Sequence, residues 1–377
     1  MALKVLHILN SLNPSGAEVM LEIANSYWNE NDVYSDILAT GSTVGVYKKN
    51  LEKKGMRIHH IPLNPKFRFL LGFYKFLKTY HYDIIHIHSE GASLFAALAV
   101  RLQSRQTIIR TVHHIWPRRR LLPFLKRLVY RFISNKLLKV IPVSNSLSGQ
   151  ENERKYFYAN NILIPNWYDD EKFVPVNDDE KKKLRNAYNI SNKSIIITSL
   201  GGNWPYKNYW MIIEAISHLP VQTKIRYFQI GPEGNNNPLQ KLAKKLNVFD
   251  KVYFWGKVEN VLPYLQMSDY YIMPSTEEGF GNAAIEAMGT GLKPILSDVK
   301  ALCDFKNYNK KTDIIWIQPA VNDIVNVFKS IENNKEDLLH DTNKFELSKT
   351  TKKNFGIKVG ATAYLNLYKQ HSYGKNK

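Results

Sequence analysis

The most informative segment of the sequence is Pro274-Ser-Thr-Glu-Glu278-Gly-Phe-Gly-Asn-Ala-Ala-Ile-Glu286-Ala-Met-Gly-Thr-Gly-Leu-Lys-Pro294. The apolar run Tyr270–Met273 precedes it and predicts a buried strand, and Leu292–Leu296 predicts the next strand. Between them, a glycine-containing loop leads into a helix that is predicted over Ala283–Met288 and begins near Asn282. Strand, loop, helix and strand in this order indicate a βαβ unit with parallel strands.

The same alternation of apolar runs and amphipathic segments extends along most of the chain. Further strands are predicted at Val5–Leu9, Asp36–Ala39, Arg57–Ile61, Asp83–His88, Thr107–Val112, Val140–Val143, Ser194–Leu200, Lys224–Ile230 and Val252–Trp255. A break rich in proline, asparagine and lysine lies near residues 165–183. The pattern predicts an α/β protein with two doubly wound, Rossmann-like domains. Because ligands of such sheets bind beyond the carboxyl ends of the strands, we expect the site in a cleft between two facing domains.

Two glutamates, Glu278 and Glu286, flank the start of the predicted helix. Exposed backbone N–H groups at a helix start suit an anion such as a diphosphate. A glutamate carboxylate in contact with that diphosphate would repel it. Carboxylates do accept hydrogen bonds from neutral diols. The two glutamates are therefore predicted to bind the hydroxyls of a sugar and of a ribose beside a diphosphate. The simpler alternative is a helix capped by Asn282 with two solvated glutamates.

This segment resembles the Glu-x7-Glu signature of glycosyltransferase family 4, whose members are retaining enzymes with the GT-B fold. Other segments that resemble the family, in the same order, are Asn13-Pro-Ser15-Gly16-Ala-Glu18, Thr111-Val-His113, Ile164-Pro165-Asn166, Gly201–Asn208 and Ile230–Gly234. Gly202 stands where the family has an arginine, whereas Lys207 matches its lysine. The resemblance implies an N-terminal acceptor-side domain (residues 1–170) and a C-terminal nucleotide-sugar donor domain (171–355). The first of these is expected to face the membrane because it contains the basic stretch described below. A C-terminal helix (356–377) would cross back onto the first domain.

The resemblance also implies a role for each matching residue. Lys207 would neutralise the leaving nucleotide diphosphate, Glu278 would hold the transferred sugar, and His113 would contact that sugar near the reacting carbon. Donor-binding candidates are Gly16, Gly231, Phe280, Gly281, Asn282 and Glu286, with Glu286 on the ribose and the backbone of 280–282 on the sugar. The family's front-face attack retains the anomeric configuration.

No metal or other cofactor is expected. The sequence contains no Asp-x-Asp motif, and its single cysteine, Cys303, excludes multi-cysteine zinc sites and an intramolecular disulfide. His86 and His88 lie on one face of a predicted strand, close to His113 in the expected fold. Buried strand histidines are usually hydrogen-bonded, so the non-metal interpretation is favoured.

The chain is strongly basic, with 52 lysines and arginines against 33 acidic residues and a net charge of +19. No acidic residue lies between Glu90 and Glu151. Within this stretch, Leu121, Leu125, Leu128 and Phe132 recur at helical spacing among basic residues, which is typical of a helix at a membrane surface. The predicted membrane-binding residues are Arg118, Arg119, Arg120, Lys126, Arg127 and Arg131. The segment Lys66–Lys78 has a similar pattern, and the alternative for both is a core-packed helix with a solvated basic face.

These features predict a metal-independent, retaining hexosyl- or N-acetylhexosaminyltransferase. The donor would be a nucleotide-diphosphate sugar, with UDP favoured and GDP possible. The acceptor would be a lipid-linked saccharide in the biosynthesis of a bacterial surface polysaccharide: capsule, O-antigen or exopolysaccharide. The alternative is a GT-B relative with other chemistry, such as a sugar-nucleotide epimerase or an inactive sugar-nucleotide-binding protein.

The expected location is the cytoplasm, with peripheral association to an anionic membrane surface at the inner face of the cell membrane. No uncharged run approaches the roughly 20 residues that a membrane-spanning helix needs. A nucleic-acid-binding function is disfavoured, because no recognisable motif for it occurs and the segment around Glu278 would have no role in it.

Overall fold

The chain forms two compact α/β units in a computed structural model, which describes residues 2–103, 106–113, 121–157, 161–234, 236–308, 314–333 and 344–372. The first unit comprises Met1–Trp167 together with Ile357–Lys377, and the second comprises Tyr168–Gly356. The limits of the second unit lie close to the predicted domain limits at residues 171 and 355.

The amino-terminal unit is built on a parallel sheet. Its strands are β1 (Leu3–Leu9), β2 (Val33–Ala39), β3 (Ile58–His60), β4 (Ile84–Ile87), β5 (Thr107–Val112), β6 (Ile141–Ser144) and β7 (Ile162–Leu163). Their order across the sheet is β3-β2-β1-β4-β5-β6-β7. The chain winds outward in opposite directions from β1 and β4, so these neighbours form a topological switch point, where such sheets bind ligands.

Helices cover both faces of this sheet. They are α1 (Gly16–Asn29), α2 (Lys48–Lys53), α3 (Lys66–Thr79), α4 (Ser93–Gln103), α5 (Leu121–Phe132), a π-helical turn at Ile133–Leu137, α6 (Leu147–Phe157) and the last helix of the chain (Ile357–Ser372). Buried aromatic side chains of α3 pack on one face, and α1 packs with the last helix on the other. Trp28 of α1 donates its Nε1–H to the carbonyl of Ala361 at 2.9 Å. The last helix therefore belongs to the first unit.

The carboxyl-terminal unit has a second parallel sheet. Its strands are β8 (Ile195–Leu200), β9 (Ile225–Ile230), β10 (Val252–Gly256), β11 (Tyr270–Met273), β12 (Lys293–Ser297) and β13 (Ile315–Ile317), in the order β10-β9-β8-β11-β12-β13. Its α-helices among the described residues are α7 (Asp178–Ala187), α8 (Tyr209–Ser217), α9 (Pro238–Lys245), α10 (Leu262–Met267), α11 (Asn282–Gly289), α12 (Phe305–Tyr308), α13 (Val321–Asn333) and α14 (Lys344–Phe355). The last helix of the chain is α15. The switch point here lies between β8 and β11.

Some elements lack the apolar pattern on which sequence prediction depends. Helix α7 is almost entirely polar, and only Arg185 in it is buried. A capping box starts this helix: the Asn177 side chain accepts from the backbone of Glu180, and the Glu180 side chain accepts from the backbone of Asn177. Local hydrogen bonds rather than an apolar face thus define where α7 begins.

Candidate active site

The loops after β8 and β11 bring Lys207 and Glu278 together at the switch point of the carboxyl-terminal unit. Lys207 Nζ lies 2.6 Å from Glu278 Oε1, and the side chains are 14% and 9% exposed. Ser275 Oγ donates to the same carboxylate oxygen at 2.7 Å. The sequence placed both residues in one site, and the structure adds that they form a largely buried ion pair. A cation and a carboxylate at this edge can bind a diphosphate and a sugar hydroxyl respectively.

Hydrogen bonds to backbone carbonyl groups fix these two loops to each other. The backbone N–H of Thr276 donates to the carbonyl of Tyr206 at 2.8 Å, and the Asn208 side-chain amide donates to the carbonyl of Pro274 at 3.0 Å. Asn208 has a positive φ of 55°, which asparagine tolerates better than most residues. These contacts between the loops therefore fix the backbone position of Lys207.

The segment 280–282 forms the start of helix α11. Gly281 has a φ of +103° and precedes Asn282, the first helical residue, in agreement with the predicted start. Phe280 is buried, and its ring packs edge-on against the rings of Phe305 and Phe355, with 5.6 Å between ring centroids in each pair. The ring of Phe280 is thus part of the core and is not available to a ligand. Backbone N–H groups at this helix start suit an anion.

Glu286 lies on the second turn of α11 and has a perturbed acidity. Burial raises the pKa of this carboxyl to about 7, an effect that Lys172 opposes and Asp169 reinforces. Glu286 therefore titrates near neutral pH. Its ionised form can accept two hydrogen bonds from a vicinal diol such as that of a ribose.

Gly231, in the loop after β9, lies in close contact with Gly201 in the loop after β8. Its φ is +132°, and a Cβ atom there would lie 2.1 Å from the carbonyl oxygen of Gly201. Any side chain would push the two loops apart, so glycine is required at this position. Gly231 also donates its N–H to the carbonyl of Gly256 at 2.7 Å. The residue shapes the edge of the sheet that carries Lys207.

Aromatic side chains beside this edge were not predicted from the sequence. A Cβ atom at Gly202 would lie 3.2 Å from Nε1 of Trp204, whose indole fills the space beside this glycine. Trp204 is 60% exposed, and Tyr206 is also exposed. An aromatic surface thus stands where the family has an arginine side chain. The sequence feature that could have predicted this surface is the presence of three aromatic residues within the segment Gly201–Tyr209.

In the amino-terminal unit, His113 follows β5 and lies beside other histidines. His88 Nδ1 is 3.1 Å from His113 Nε2, and His88 Nε2 is 3.1 Å from His7 Nδ1. Gly16 is the first residue of helix α1, which follows β1, and the Ser15 hydroxyl before it hydrogen-bonds to Glu18. Burial raises the pKa of the Glu18 carboxyl. His113 and Gly16 thus both follow strands of the sheet's central region.

Among the described residues, three histidines of this unit lie close enough together to be considered as ligands of one metal ion. The ring nitrogens of His7, His86 and His88 lie within 4.8 Å of one another. Both nitrogens of His86 already hydrogen-bond to hydroxyls, those of Tyr368 and Thr111, at 2.7 Å. No carboxylate belongs to this group of described residues, although metal-binding histidines commonly have one as an outer partner. The donor set therefore fits a hydrogen-bonded cluster better than a metal site.

The basic face predicted for α5 is only partly present. Arg131 is 3% exposed and pairs with Glu90 at 2.9 Å and Glu153 at 3.3 Å, so its prediction as a membrane-binding residue is wrong. Arg127 is also mostly covered, with Nε 3.9 Å from Glu90. The stretch without acidic residues receives its counter-charges from glutamates just beyond its two ends. Lys126 is exposed, and Arg118, Arg119 and Arg120 lie outside the described residues.

The exposed face of α5 is apolar instead. We call this the α5 apolar face: Leu122, Leu125, Val129 and Phe132, which are 46–80% exposed. Leu125 and Phe132 were in the predicted stripe, whereas Leu128 is half-buried. Phe67 and Leu71 of α3 are likewise exposed. Among the described residues, no helix combines the length and hydropathy needed to cross a bilayer.

Comparison with known proteins gives matches over both units. The family model described as Glycosyltransferase Family 4 matches residues 15–172, and the one described as Glycosyl transferases group 1 matches residues 180–346. Over 251 residues, 64% of either chain, the chain is 28% identical to the UDP-Gal:alpha-D-GlcNAc-diphosphoundecaprenol alpha-1,3-galactosyltransferase of Escherichia coli.

Two further matches span nearly the whole chain. The capsular polysaccharide biosynthesis glycosyltransferase CapH of Staphylococcus aureus is 24% identical over 363 residues, 93% of this chain and 96% of that one. The crystal structure of a glycosyltransferase from Rickettsia africae matches with a TM-score of 0.82 and 18% identity, and covers 99% of this chain and 100% of that one. The last match concerns the fold alone.

Proposed function

Because this chain belongs to glycosyltransferase family 4, we propose that it transfers a sugar from a UDP-sugar to a lipid-linked saccharide during the synthesis of a surface polysaccharide. The family and the GT-B fold confirm the corresponding predictions from the sequence. Relatives named for capsular polysaccharide and for a lipid-linked acceptor support a role as a glycosyltransferase of polysaccharide biosynthesis.

The observation that carries the proposal is the placement of Lys207 and Glu278 beside the start of α11. All three lie at the carboxyl ends of β8 and β11, where a doubly wound sheet binds its ligand. Lys207 and the backbone N–H groups of α11 suit a diphosphate, while Glu286 suits a ribose. UDP is favoured because the Escherichia coli relative is named for UDP-Gal, and GDP is the second candidate.

The chemistry follows from charge development on the donor. As the sugar–phosphate bond breaks, negative charge grows on the diphosphate, and Lys207 stabilises it. Glu278 holds the transferred sugar, and His113 contacts it. The acceptor hydroxyl attacks from the same face and gives its proton to a phosphate oxygen of the leaving group, so the anomeric configuration is retained. In this proposal Lys207 and the α11 start neutralise the diphosphate without a metal ion.

The acceptor side of the proposal rests on the α5 apolar face. Four large apolar side chains on one exposed helix face are costly in water and suit the interface of a bilayer. Exposed Lys126, Lys136 and Lys139 lie on or shortly after this helix and suit anionic headgroups. A lipid-linked acceptor, as in the name of the Escherichia coli relative, would be met at such a surface. We therefore propose peripheral binding at the cytoplasmic face of the membrane.

Vesicle sedimentation tests this membrane contact. The double substitution Leu125→Ser with Val129→Ser should release the protein from anionic vesicles, because it removes two inserted side chains worth roughly 1.5–3 kcal/mol each when buried. Val221→Ser is the matched control, since Val221 is 88% exposed and lies in the other unit. Equal sedimentation of all three proteins would contradict the membrane proposal.

Thermal shift with a nucleotide panel tests the donor class. UDP and UDP-sugars should raise the melting temperature of the protein more than GDP or ADP and their sugars, because a bound ligand stabilises the folded state by mass action. The shift should shrink in Lys207→Met. A shift with GDP alone would replace UDP by GDP in the proposal, and no shift with any nucleotide would contradict the proposed donor site.

A further inference from the structure

A continuous chain of hydrogen bonds leads from the interior of the amino-terminal unit to His113. His7 Nε2 lies 3.3 Å from the Ser35 hydroxyl, and His7 Nδ1 lies 3.1 Å from His88 Nε2. His88 Nδ1 lies in turn 3.1 Å from His113 Nε2. The four residues come from β2, β1 and the loops after β4 and β5, so the chain crosses the switch point of the sheet. The chain of hydrogen bonds reaches His113 at the carboxyl edge of the strands.

The chemistry of imidazole makes this chain directional. A neutral histidine has one N–H and one lone pair. His7 and His88 each use both ring nitrogens in the chain, so a ring that donates from one nitrogen must accept at the other. All bonds therefore point either towards His113 or away from it. In the first case His113 Nε2 accepts and its proton is on Nδ1, and in the second case Nε2 carries the proton.

The surroundings keep these rings neutral and in place. Burial lowers the pKa of His7 to about 3, against a weaker opposing effect of Asp36, and lowers the pKa of His88 well below its usual value. A charged ring would have two N–H donors and would break the uniform direction. Trp28 stacks on His7 with 5.7 Å between ring centroids and 7° between planes. His88 in turn stacks on His113 at 5.4 Å.

We propose that His7 and His88 are positioning residues for His113, which hold its ring and determine which of its nitrogens carries the proton. This inference rests on the proposed function for the role of His113 at the transferred sugar. With the hydrogen bonds pointing towards His113, its Nδ1 carries the proton; with the direction reversed, Nδ1 carries the lone pair. Residues remote from the substrate thereby decide whether His113 acts as a donor or an acceptor.

Nitrogen-15 NMR of histidine-labelled protein tests the coupling without any activity assay. In the wild-type protein, His113 should show one protonated and one unprotonated ring nitrogen. In His7→Phe, which keeps a flat ring but removes both nitrogens, the two His113 signals should move towards intermediate values, although His7 is two hydrogen bonds away. Unchanged His113 signals beside altered His88 signals would overturn the proposal.

His86→Gln is the matched control. His86 is buried next to His88, with ring centroids 4.0 Å apart. Its own hydrogen bonds go to the hydroxyls of Tyr368 and Thr111, which are not part of the hydrogen-bond chain from Ser35 to His113. This substitution should leave the tautomer of His113 unchanged. If it shifts the His113 signals as much as His7→Phe does, the effect is general repacking and the proposal fails.

A milder variant keeps the test decisive if His7→Phe does not fold. Ser35→Ala leaves Nε2 of His7 without the serine hydroxyl, and a buried unpaired N–H costs more than an unpaired lone pair. The chain should then point towards His113 and place its proton on Nδ1. Observation of the proton on Nε2 of His113 in this variant would overturn the inference.

Kinetics and metal analysis complete the experiment. If the protein is a transferase, His7→Phe should lower kcat by up to about 100-fold, the loss expected for a misplaced group, with an unchanged KM for the donor. Without transferase activity the proposed function fails, while the NMR result still decides the coupling. One equivalent of a transition metal in the purified protein, lost in His7→Phe, would overturn the inference, because a metal would occupy the lone pairs that the chain uses.

Discussion

The ion pair between Lys207 and Glu278 stabilises the fold, and Lys207 is also proposed to bind the diphosphate. Substitutions of the two residues can separate these two roles. At 2.6 Å and with an effective dielectric constant of about 20, two unit charges attract by roughly 6 kcal/mol before the cost of their desolvation. Removing one partner of a buried pair typically costs about 3–5 kcal/mol, because the other charge stays buried. Ser275 still donates to Glu278 after Lys207→Met, so we expect the lower limit, about 3 kcal/mol.

Calorimetry measures this cost. A loss of 3 kcal/mol should lower the melting temperature of a unit of this size by roughly 6–12 °C. The double variant Lys207→Met with Glu278→Gln should recover most of the loss, because neither buried charge remains. Additive losses in the double variant would show that the two side chains do not stabilise each other.

Titration with UDP then separates the two residues. Glu278 competes with the diphosphate for Lys207, so Glu278→Gln should bind UDP at least as tightly as the wild-type protein. Lys207→Met should bind UDP roughly tenfold to a hundredfold more weakly, as expected for one lost charge-assisted hydrogen bond. Weakening of UDP binding by the same factor in both variants would refute the assignment of Lys207 to the diphosphate.

Three further predictions concern the same unit. Affinity for a UDP-sugar should rise with pH through about 7 and then level off, because only ionised Glu286 accepts from both ribose hydroxyls; Glu286→Gln should bind more weakly without this pH dependence, measured by calorimetric titration. Transfer should survive EDTA, and loss of transfer that manganese restores would contradict metal independence. Trp204→Ala should weaken donor binding by roughly 1 kcal/mol for a lost aromatic contact, whereas Trp210→Ala, an exposed tryptophan on α8, should not.

Most of the fold could be predicted because parallel strands buried on both faces have apolar runs. The strands Thr107–Val112 and Tyr270–Met273 lie where the sequence predicted them. Strand β7 contains two residues and α2 contains six, which is too short for any periodic pattern. Helix α7 was missed because its polar sequence depends on a local capping box.

The candidate site was predictable to the extent that local motifs carry it. The turn at Gly281 and the position of Glu286 on α11 follow from one continuous segment. The partners of Arg131 could not be found in the same way, because Glu90 and Glu153 come from separate parts of the chain. The hydrogen bonds of His7 with Ser35 and His88 likewise depend on which strands lie side by side, which spacing within one strand does not show.

The most direct test of the proposed function is transfer itself. The purified protein is incubated with a panel of UDP-sugars, EDTA and a polyprenyl diphosphate that carries one sugar, and the lipid is analysed by mass spectrometry and by NMR of the new linkage. We expect the lipid to gain one hexose or N-acetylhexosamine with the anomeric configuration of the donor, and Lys207→Met to lose this activity. An inverted linkage, or a UDP-sugar that is converted while the lipid stays unchanged, would contradict a retaining transferase.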